Sequence, residues 1–226
     1  NNPLDYYLNI RNTAKPKYGY YLNLNDFNVL SFSPELFFQK ENNIIISLPM
    51  KGTRPRSGNI IEDNKYKKEL ENATKDRSEH LMILDLIRND IGKIANYGSV
   101  YVQDMFKVES YETVHQMTSK VIGEVSNSIN EVNILEALFP GGSITGAPKE
   151  SAMTIIDNIE NYSRDIYTGA LGYIKSNGDM NFNMPIRTMT IKNNKAIYPV
   201  GGGIVWDSNY QEEWEEAQLK SKIIGV

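Results

Sequence analysis

Apolar and polar residues alternate over residues 18–24 and 27–32, and two further β-like runs cover residues 35–41 and 44–48. Each pair of runs is separated by two polar residues, the Asn-Asp pair at 25–26 and the Asn-Asn pair at 42–43. A two-residue polar break between alternating runs is typical of a hairpin turn between antiparallel strands. After a short helix over residues 4–12, this part of the chain is therefore predicted to form an antiparallel meander.

The second hairpin fixes a strand register. Its two-residue turn places Glu41 opposite Ile44, and extending that register places Glu35 opposite Met50, one residue from Lys51. Neighbouring strands run about 5 Å apart, so the Glu35 carboxyl and the Lys51 amine are predicted to share one site. Two interpretations remain open for this pair: an ordinary cross-strand ion pair, or an acid beside a nucleophilic amine.

Helical periodicity replaces the alternation in the middle of the chain. Residues 78–91 are rich in Leu, Ile and Met and predict a strong helix that ends near Gly92. The charged stretch 64–75 is also compatible with a helix. Residues 131–138 predict a short helix, and Pro148 suits the first turn of another.

The last third of the chain returns to β patterns before a final helix. The pairs at residues 177–178 and 193–194 are Asn-Gly and Asn-Asn, which predict hairpin turns. The predicted β segments and the final helix occupy residues 167–175, 181–192, 195–205 and 211–224.

Composition narrows the class of protein. With 226 residues, 40% of them apolar, the chain can bury the core of one large domain or two small ones. A net charge of −4 does not favour a nucleic-acid or anionic-membrane surface. Without cysteine there is no disulfide, thiolate metal site or cysteine nucleophile, which fits a cytoplasmic protein. The two histidines, His80 and His115, are not in an HExxH arrangement, so a zinc site is not favoured.

Residues 49–56 place one lysine and two arginines at the end of an apolar run. Pro49 and Pro55 bracket an irregular loop, a place where binding and catalytic residues are common. Arg54 and Arg56 form a local cationic cluster in a mildly acidic chain, which suits a small anionic ligand. A solvated basic loop is the alternative interpretation.

Carboxylates recur at helical spacing in two places. Glu79 and Asp90 share one face of the predicted helix 78–91. A carboxylate in a first turn either answers the helix dipole or binds a metal, and both readings stay open. In the final helix Glu213, Glu216 and Lys220 share one face, where a solvated surface with an internal ion pair is the alternative.

Two glycine-rich stretches are candidates for ligand contact. Residues 139–149 superficially resemble a phosphate-cradling loop, but Gly146 is followed by Ala-Pro-Lys, so nucleotide binding is rejected. The helix that follows Pro148 offers backbone amides that can hold an anion. Three glycines, Gly201–Gly203, allow a ligand to approach the backbone closely.

Six of these stretches follow one another along nearly the whole chain: Ser33-Pro-Glu-Leu-Phe, Pro49-Met-Lys-Gly-Thr-Arg-Pro-Arg, Asp85-Leu-Ile-Arg-Asn-Asp, Phe139-Pro-Gly-Gly-Ser-Ile-Thr-Gly-Ala-Pro-Lys, Pro185-Ile-Arg-Thr, and Gly201-Gly-Gly-Ile-Val with Glu216 and Lys220. In this order they resemble the chorismate-utilising enzymes, most closely the branch that makes aminodeoxychorismate in the para-aminobenzoate and folate pathway. The resemblance implies an α+β fold, a sandwich of antiparallel sheets with helices outside. It also implies one chorismate-binding catalytic domain over residues 1–226, without the family's N-terminal part.

The resemblance assigns roles to individual residues. It implies that Mg²⁺ bridges Glu79, Glu216 and a substrate carboxylate, with Glu213 as a nearby supporting acid; hard carboxylate ligands are what Mg²⁺ prefers. The residues that the resemblance places around the substrate are Gly52, Thr53, Thr145, Tyr167, Arg187, Gly201, Gly202, Gly203 and Lys220.

Lys51 separates the reactions of the family. The branch that aminates chorismate at C4 carries lysine before Gly-Thr, whereas anthranilate-forming enzymes usually carry alanine. The resemblance therefore implies that Lys51 attacks C2 while Glu35 protonates the departing C4 hydroxyl. Ammonia then adds at C4 and expels the lysine. Because this chain has no cysteine, the ammonia is expected from a separate glutamine amidotransferase subunit.

Three alternatives stay open. Anthranilate synthase component I is the nearest, although Lys51 speaks against it, and isochorismate or salicylate synthase follows. A non-catalytic chorismate-binding fragment is the third. The product formed from chorismate distinguishes all of them.

Overall fold

The computed structural model describes residues 2–112 and 114–225. Contacts divide the chain into two compact units. The first unit comprises Asn1–Glu35, Tyr162–Leu171 and Asn183–Val226, and the second comprises Leu36–Asn161 and Gly172–Phe182. In chain order the helices and strands are α1 (Pro3–Ala14), β1 (Tyr18–Asn23), β2 (Asn28–Ser33), β3 (Leu36–Glu41), β4 (Ile44–Ser47), β5 (Met50–Pro55), α2 (Ile60–Asn72), α3 (Thr74–Gly92), β6 (Tyr101–Ser110), β7 (Val114–Glu124), α4 (Glu131–Leu138), α5 (Lys149–Ile159), β8 (Leu171–Ile174), β9 (Met180–Asn183), β10 (Thr188–Lys192), β11 (Lys195–Ile197) and α6 (Tyr210–Ser221).

The first unit is built on a four-stranded sheet in the order β1-β2-β10-β11. Its three ladders are antiparallel, and β1 and β2 form the hairpin that the first polar break predicts. Helix α1 begins at the Asn2 cap and buries Tyr7 and Ile10, which join Leu30, Phe32 and Met189 in one apolar cluster. The cluster packs helix α1 against the sheet that contains β10.

The second unit is built on a seven-stranded sheet in which the long strand β7 pairs with β4, β5 and β6. Strands β4 and β5 follow one another in a continuous line along the same edge of β7. Ser47 pairs with Val121, and Met50 pairs with Thr118 in the same register. Pro49 interrupts this line because proline cannot donate to the ladder. Strand β6 pairs with the other edge of β7.

The predicted second hairpin is confirmed. Its turn residue Asn42 has a φ of 53°, and Glu41 pairs with Ile44. The paired ladder continues to Gln39 and Ile46. The extension of this register to Glu35 and Met50 stays a prediction.

Two predicted β segments were too long. Residues 181–192 form two strands that belong to different sheets, because Pro185 removes a backbone donor between them. In the predicted segment 195–205, strand β11 covers only Lys195–Ile197, and the glycine-rich remainder is irregular. The first error concerns the segment that contains Arg187, and the second concerns the segment that contains Gly201.

Most helices agree with the predictions, and α4 has the predicted bounds. The predicted stretch 64–75 instead crosses the break at Ala73 between α2 and α3. Helix α3 buries His80, Ile83, Leu84 and Ile91. The α+β class with antiparallel sheets is confirmed. Among the described residues, no helix combines the length and apolar character that a membrane span needs.

Candidate functional site

In the first unit, two carboxylates of α6 converge on the glycine-rich segment. A Cβ built on Gly202 would lie 3.0 Å from Glu213 Oε2 and 3.4 Å from Glu216 Oε1. Any larger residue at this position would crowd the two carboxylates, so glycine is needed for the close approach. Glu213 and Glu216 therefore lie together, as the spacing of three residues along the helix predicts.

Hydrogen bonds hold the two carboxylates in place. Lys220 Nζ donates to the Gly201 carbonyl at 2.8 Å and forms an ion pair with Glu216. Ser208 Oγ donates to Glu213 Oε1 at 2.6 Å, and the same hydroxyl accepts the Val205 N–H at 3.0 Å. Lys220 thus links helix α6 to the glycine-rich segment. The hydrogen bond from Ser208 uses Oε1 of Glu213 and not Oε2.

Arg187 lies at the start of β10 in an uncommon backbone conformation. Its φ is 52°, and its carbonyl accepts the Phe32 N–H at 3.0 Å, which ties the residue to β2. Desolvation by burial lowers the pKa of the guanidinium, and Tyr198 is a smaller influence that partly opposes this. Within the described residues the guanidinium forms neither an ion pair nor a hydrogen bond. A desolvated cation without a partner is the expected state of a carboxylate-binding arginine before its ligand arrives.

Two tyrosines connect Arg187 to the glycine segment. Tyr198 directly follows β11, whose partner strand β10 begins just after Arg187. The Tyr167 hydroxyl is 3.3 Å from a Cβ built on Gly201. The structure therefore brings together seven predicted site residues in one unit: Tyr167, Arg187, Gly201, Gly202, Glu213, Glu216 and Lys220. Gly203, the remaining predicted residue of this segment, is exposed.

In the second unit, Lys51 lies beside a β-bulge. Lys51 pairs with Met117 and Thr53 with Gln116, so Gly52 is an extra residue without a partner in β7. Gly52 has a φ of 70°, and a Cβ there would lie 2.7 Å from Leu70 Cδ1. Only glycine satisfies both conditions, which explains the Lys-Gly-Thr order.

Lys51 is partly buried, and its amine forms no ion pair or hydrogen bond with the residues that the structure describes. Its charge reaches His80, which follows the predicted metal ligand Glu79 on α3. Burial, with Lys51 as the smaller cause, lowers the pKa of His80 to about 4. His80 Nε2 shares a 2.7 Å hydrogen bond with Ser119 Oγ. Of the two interpretations of Lys51, an ordinary ion pair is therefore the less favoured.

Arg54 and Arg56 do not form the anion site that the sequence suggested. Arg54 donates to Asp76 at 3.0 Å. Arg56 contacts both oxygens of Asp63, at 2.8 and 3.0 Å, and this contact is the main reason that the pKa of Asp63 lies well below its ordinary value. Both guanidinium groups are occupied by partners within the protein, so of the two interpretations of this loop the anion site is the less favoured. The partners were not recognised because they lie in α2 and α3.

Thr145 lies in an irregular segment that is held against α3. Its hydroxyl donates to the Gly141 carbonyl at 2.9 Å. At the end of the segment, Lys149 donates to Asp90 at 2.6 Å and to the Leu138 carbonyl at 3.1 Å. Asp90 therefore has a structural partner, and the segment's position depends on this buried ion pair.

Glu35 is buried next to the start of β3. Its backbone N–H donates to Ser33 Oγ at 3.2 Å, and its carbonyl accepts the Met184 N–H at 3.1 Å. The predicted metal ligands belong to different units, with Glu79 in the second and Glu213 and Glu216 in the first. Among residues 2–112 and 114–225, no three His, Asp or Glu side chains form a metal-binding group.

Sequence reasoning missed Tyr198 and Ser208. The hydroxyl of Tyr198 is buried and has no hydrogen-bond partner among the described residues. The only signal in the sequence is its place just before the glycine segment. Ser208 precedes α6, yet its partner is Glu213 rather than the helix backbone, and no sequence pattern predicts that choice.

Comparisons with known proteins identify the family of the chain. The family model described as chorismate binding enzyme matches residues 1–225. Anthranilate synthase component 1 of Saccharolobus solfataricus is 41% identical over 223 residues, which are 99% of this chain and 53% of the relative. Aminodeoxychorismate synthase component 1 of Salmonella typhimurium is 44% identical over 196 residues, which are 87% of this chain and 43% of the relative.

A solved structure extends the similarity to three dimensions. Anthranilate synthase component I from Streptococcus pneumoniae matches with a TM-score of 0.90 and 36% identity, over 100% of this chain and 50% of that one. The chain thus spans about half the length of the curated relatives it matches. On the family match and these identities, the chain belongs to the chorismate binding enzyme family.

Proposed function

We propose that the chain is part of an aminodeoxychorismate synthase and aminates chorismate at C4. The observation that carries this proposal is Lys51, an amine beside a glycine bulge with no partner among the described residues. A nucleophilic amine must be free to attack, and a structural lysine would be expected to hold an acid. The motif rule, lysine rather than alanine before Gly-Thr, supports the same choice.

Substrate binding is proposed for the first-unit residues. Chorismate carries two carboxylates, and the unpartnered Arg187 guanidinium suits one of them because its planar fork binds two oxygens. Tyr167, Lys220 and the amides of Gly201–Gly203 lie in the same unit and complete this side of the site. Gly52, Thr53 and Thr145 are proposed contacts from the second unit.

Mg²⁺ is the proposed cofactor, with Glu79 and Glu216 as ligands and Glu213 as a supporting acid. The donor set suits the ion, because hard carboxylate oxygens are its preferred ligands. Glu213 and Glu216 already lie together beside Gly202. When bound, the ion would neutralise a substrate carboxylate and orient it.

In the proposed reaction the Lys51 amine bonds to C2 of the ring, and the C4 hydroxyl leaves with a proton from Glu35. Ammonia then bonds to C4, and the lysine departs from C2 with its electron pair. The product is 4-amino-4-deoxychorismate, with the enolpyruvyl group retained. Lys51 must be unprotonated when it attacks.

A glutamine amidotransferase subunit is the proposed source of ammonia. Two relatives are named component 1, which indicates a second component in those enzymes. This chain contains no cysteine with which to release ammonia from glutamine itself. A cytoplasmic location is proposed on the same lack of cysteine.

A second candidate function is anthranilate formation. The Saccharolobus solfataricus relative carries that name at 41% identity, close to the 44% of the aminodeoxychorismate synthase component. Overall identity therefore does not choose between the two reactions. Lys51 is the residue that favours amination at C4.

The test is incubation of the chain with chorismate, Mg²⁺ and ammonium at alkaline pH, with products resolved by mass spectrometry. We expect aminodeoxychorismate from the wild type and none from Lys51→Ala. Lys68→Ala, which removes an exposed lysine of α2, is the matched control and should leave turnover unchanged. Anthranilate as the product, or full turnover by Lys51→Ala, would contradict the proposal.

A further inference from the structure

Tyr198 combines a packed ring with an unsatisfied hydroxyl. The ring packs against the apolar cluster of the first unit that contains Tyr7, Leu30 and Phe32. The hydroxyl is inaccessible to solvent and has no hydrogen-bond partner among the described residues. Buried hydroxyls are nearly always paired, because an unpaired one loses its bonds to water without compensation. The position would therefore favour phenylalanine if stability alone mattered.

The neighbours of this hydroxyl indicate what its missing partner is. Tyr198 directly follows β11, and Arg187 directly precedes β10, the strand that pairs with β11. Burial raises the pKa of Tyr198, so the hydroxyl stays protonated and can donate. The Arg187 guanidinium is also a donor without a partner within residues 2–112 and 114–225. Two neighbouring unsatisfied donors, one of them cationic, are both satisfied by one anionic acceptor group.

We propose that Tyr198 is a substrate-binding residue whose hydroxyl donates a hydrogen bond to the substrate carboxylate that Arg187 holds. The inference rests on the proposed function, because it takes chorismate as the ligand of Arg187. It adds a neutral donor to the arginine fork, so that the carboxylate is bound from two elements, the start of β10 and the segment after β11. The ligand class is a carboxylate that is buried on binding.

Tyr6 supplies a matched control within the same environment. Its ring packs against the same cluster, but its hydroxyl donates to the Ile224 carbonyl at 3.0 Å. Tyr6→Phe and Tyr198→Phe remove the same single atom from neighbouring tyrosines. The two substitutions differ in whether that atom has a partner before the ligand binds.

The experiment measures chorismate affinity by calorimetry without ammonia, together with Tm, for the wild type and both variants. Tyr198→Phe should weaken Kd by about tenfold or more, the usual effect of losing a hydrogen bond to a charged group. Its Tm should stay equal to that of the wild type or rise. Tyr6→Phe should lower Tm and leave Kd unchanged, so the two variants change opposite properties.

Other outcomes are decisive against the inference. Suppose that the wild type binds chorismate and that binding depends on Arg187, while Tyr198→Phe binds as tightly as the wild type. In that case Tyr198 does not contact the carboxylate, and the proposed function stands. A fall in Tm with unchanged Kd would mean that the hydroxyl has a structural partner. A wild-type chain that does not bind chorismate would overturn the proposed function and this inference together.

Discussion

Arginines of the two units differ in what they contact. In the second unit, Arg54 and Arg56 are held by Asp76 and Asp63, and the contact of Arg56 involves both oxygens of its partner. In the first unit, Arg187 is desolvated and has no partner among the described residues. The charges of Arg54 and Arg56 are thus satisfied within the protein, whereas the charge of Arg187 is left to be satisfied by a ligand.

The difference shows why a cluster of cations is a poor indicator of an anion site. Arg54 and Arg56 are two residues apart and look like a binding pair, but each is neutralised by a carboxylate from a helix. Arg187 is isolated in the sequence, yet it keeps its donors unused. Pairing within the fold, rather than local charge density, separates structural from ligand-binding arginines.

The largest expected effect is the loss of ligand binding at the unpaired arginine. Arg187→Gln should weaken chorismate affinity roughly 100-fold or more, because the carboxylate loses a charged two-point contact. Tm should not fall, since no protein group loses a partner. Calorimetry and thermal melts measure the two quantities, and Arg187→Lys should recover only part of the affinity because an amine lacks the planar fork. A large fall in Tm with unchanged affinity would show that Arg187 is structural.

The paired arginine should behave in the opposite way. Arg56→Gln leaves the buried Asp63 carboxylate without its two-point contact, so Tm should fall by roughly 5 °C or more. Chorismate affinity should be retained. Arg54→Gln is the control: Arg54 and Asp76 are more exposed as a pair, so the fall in Tm should be smaller. The double variant Arg56→Gln/Asp63→Asn should regain part of the loss, and absence of that recovery would contradict the pairing argument.

Sequence reasoning succeeded where the determinants are local. The turn at residues 42–43, the helix α4 and the face shared by Glu213 and Glu216 depend on spacings of two to four residues, and all three are found. It failed over residues 181–192 because alternation alone does not show that Pro185 sends the two halves to different sheets.

Determinants that depend on distant segments could not be predicted. The partners of Arg56 and Arg54 come from α2 and α3, so their pairing follows from the fold rather than from the motif. Tyr198 is a candidate binding residue only because its hydroxyl is buried near Arg187 without a partner. No pattern in the sequence reports whether a buried donor is satisfied.

The smallest expected effect is the one that the charge of Lys51 has on the pKa of His80. The pKa of His80 lies near 4 because of burial first and the Lys51 charge second. Between pH 6.5 and 4 the unfolded chain binds a proton that the native protein excludes, so the free energy of unfolding falls as the pH falls through this window. The total loss should reach roughly 3 kcal/mol, and His80→Gln should remove this part of the pH dependence.

Lys51→Ala sharpens that measurement. Removing the amine takes away the smaller cause and leaves burial in place, so the pKa of His80, followed by NMR, should rise modestly while staying below its ordinary value. The hydrogen bond between His80 and Ser119 should hold the ring in place in both proteins, so the comparison measures charge rather than position. An unchanged pKa of His80 would mean that the charge of Lys51 does not influence His80. Lys51 would then no longer be comparable with Arg187 as a cation left without a partner near its predicted site.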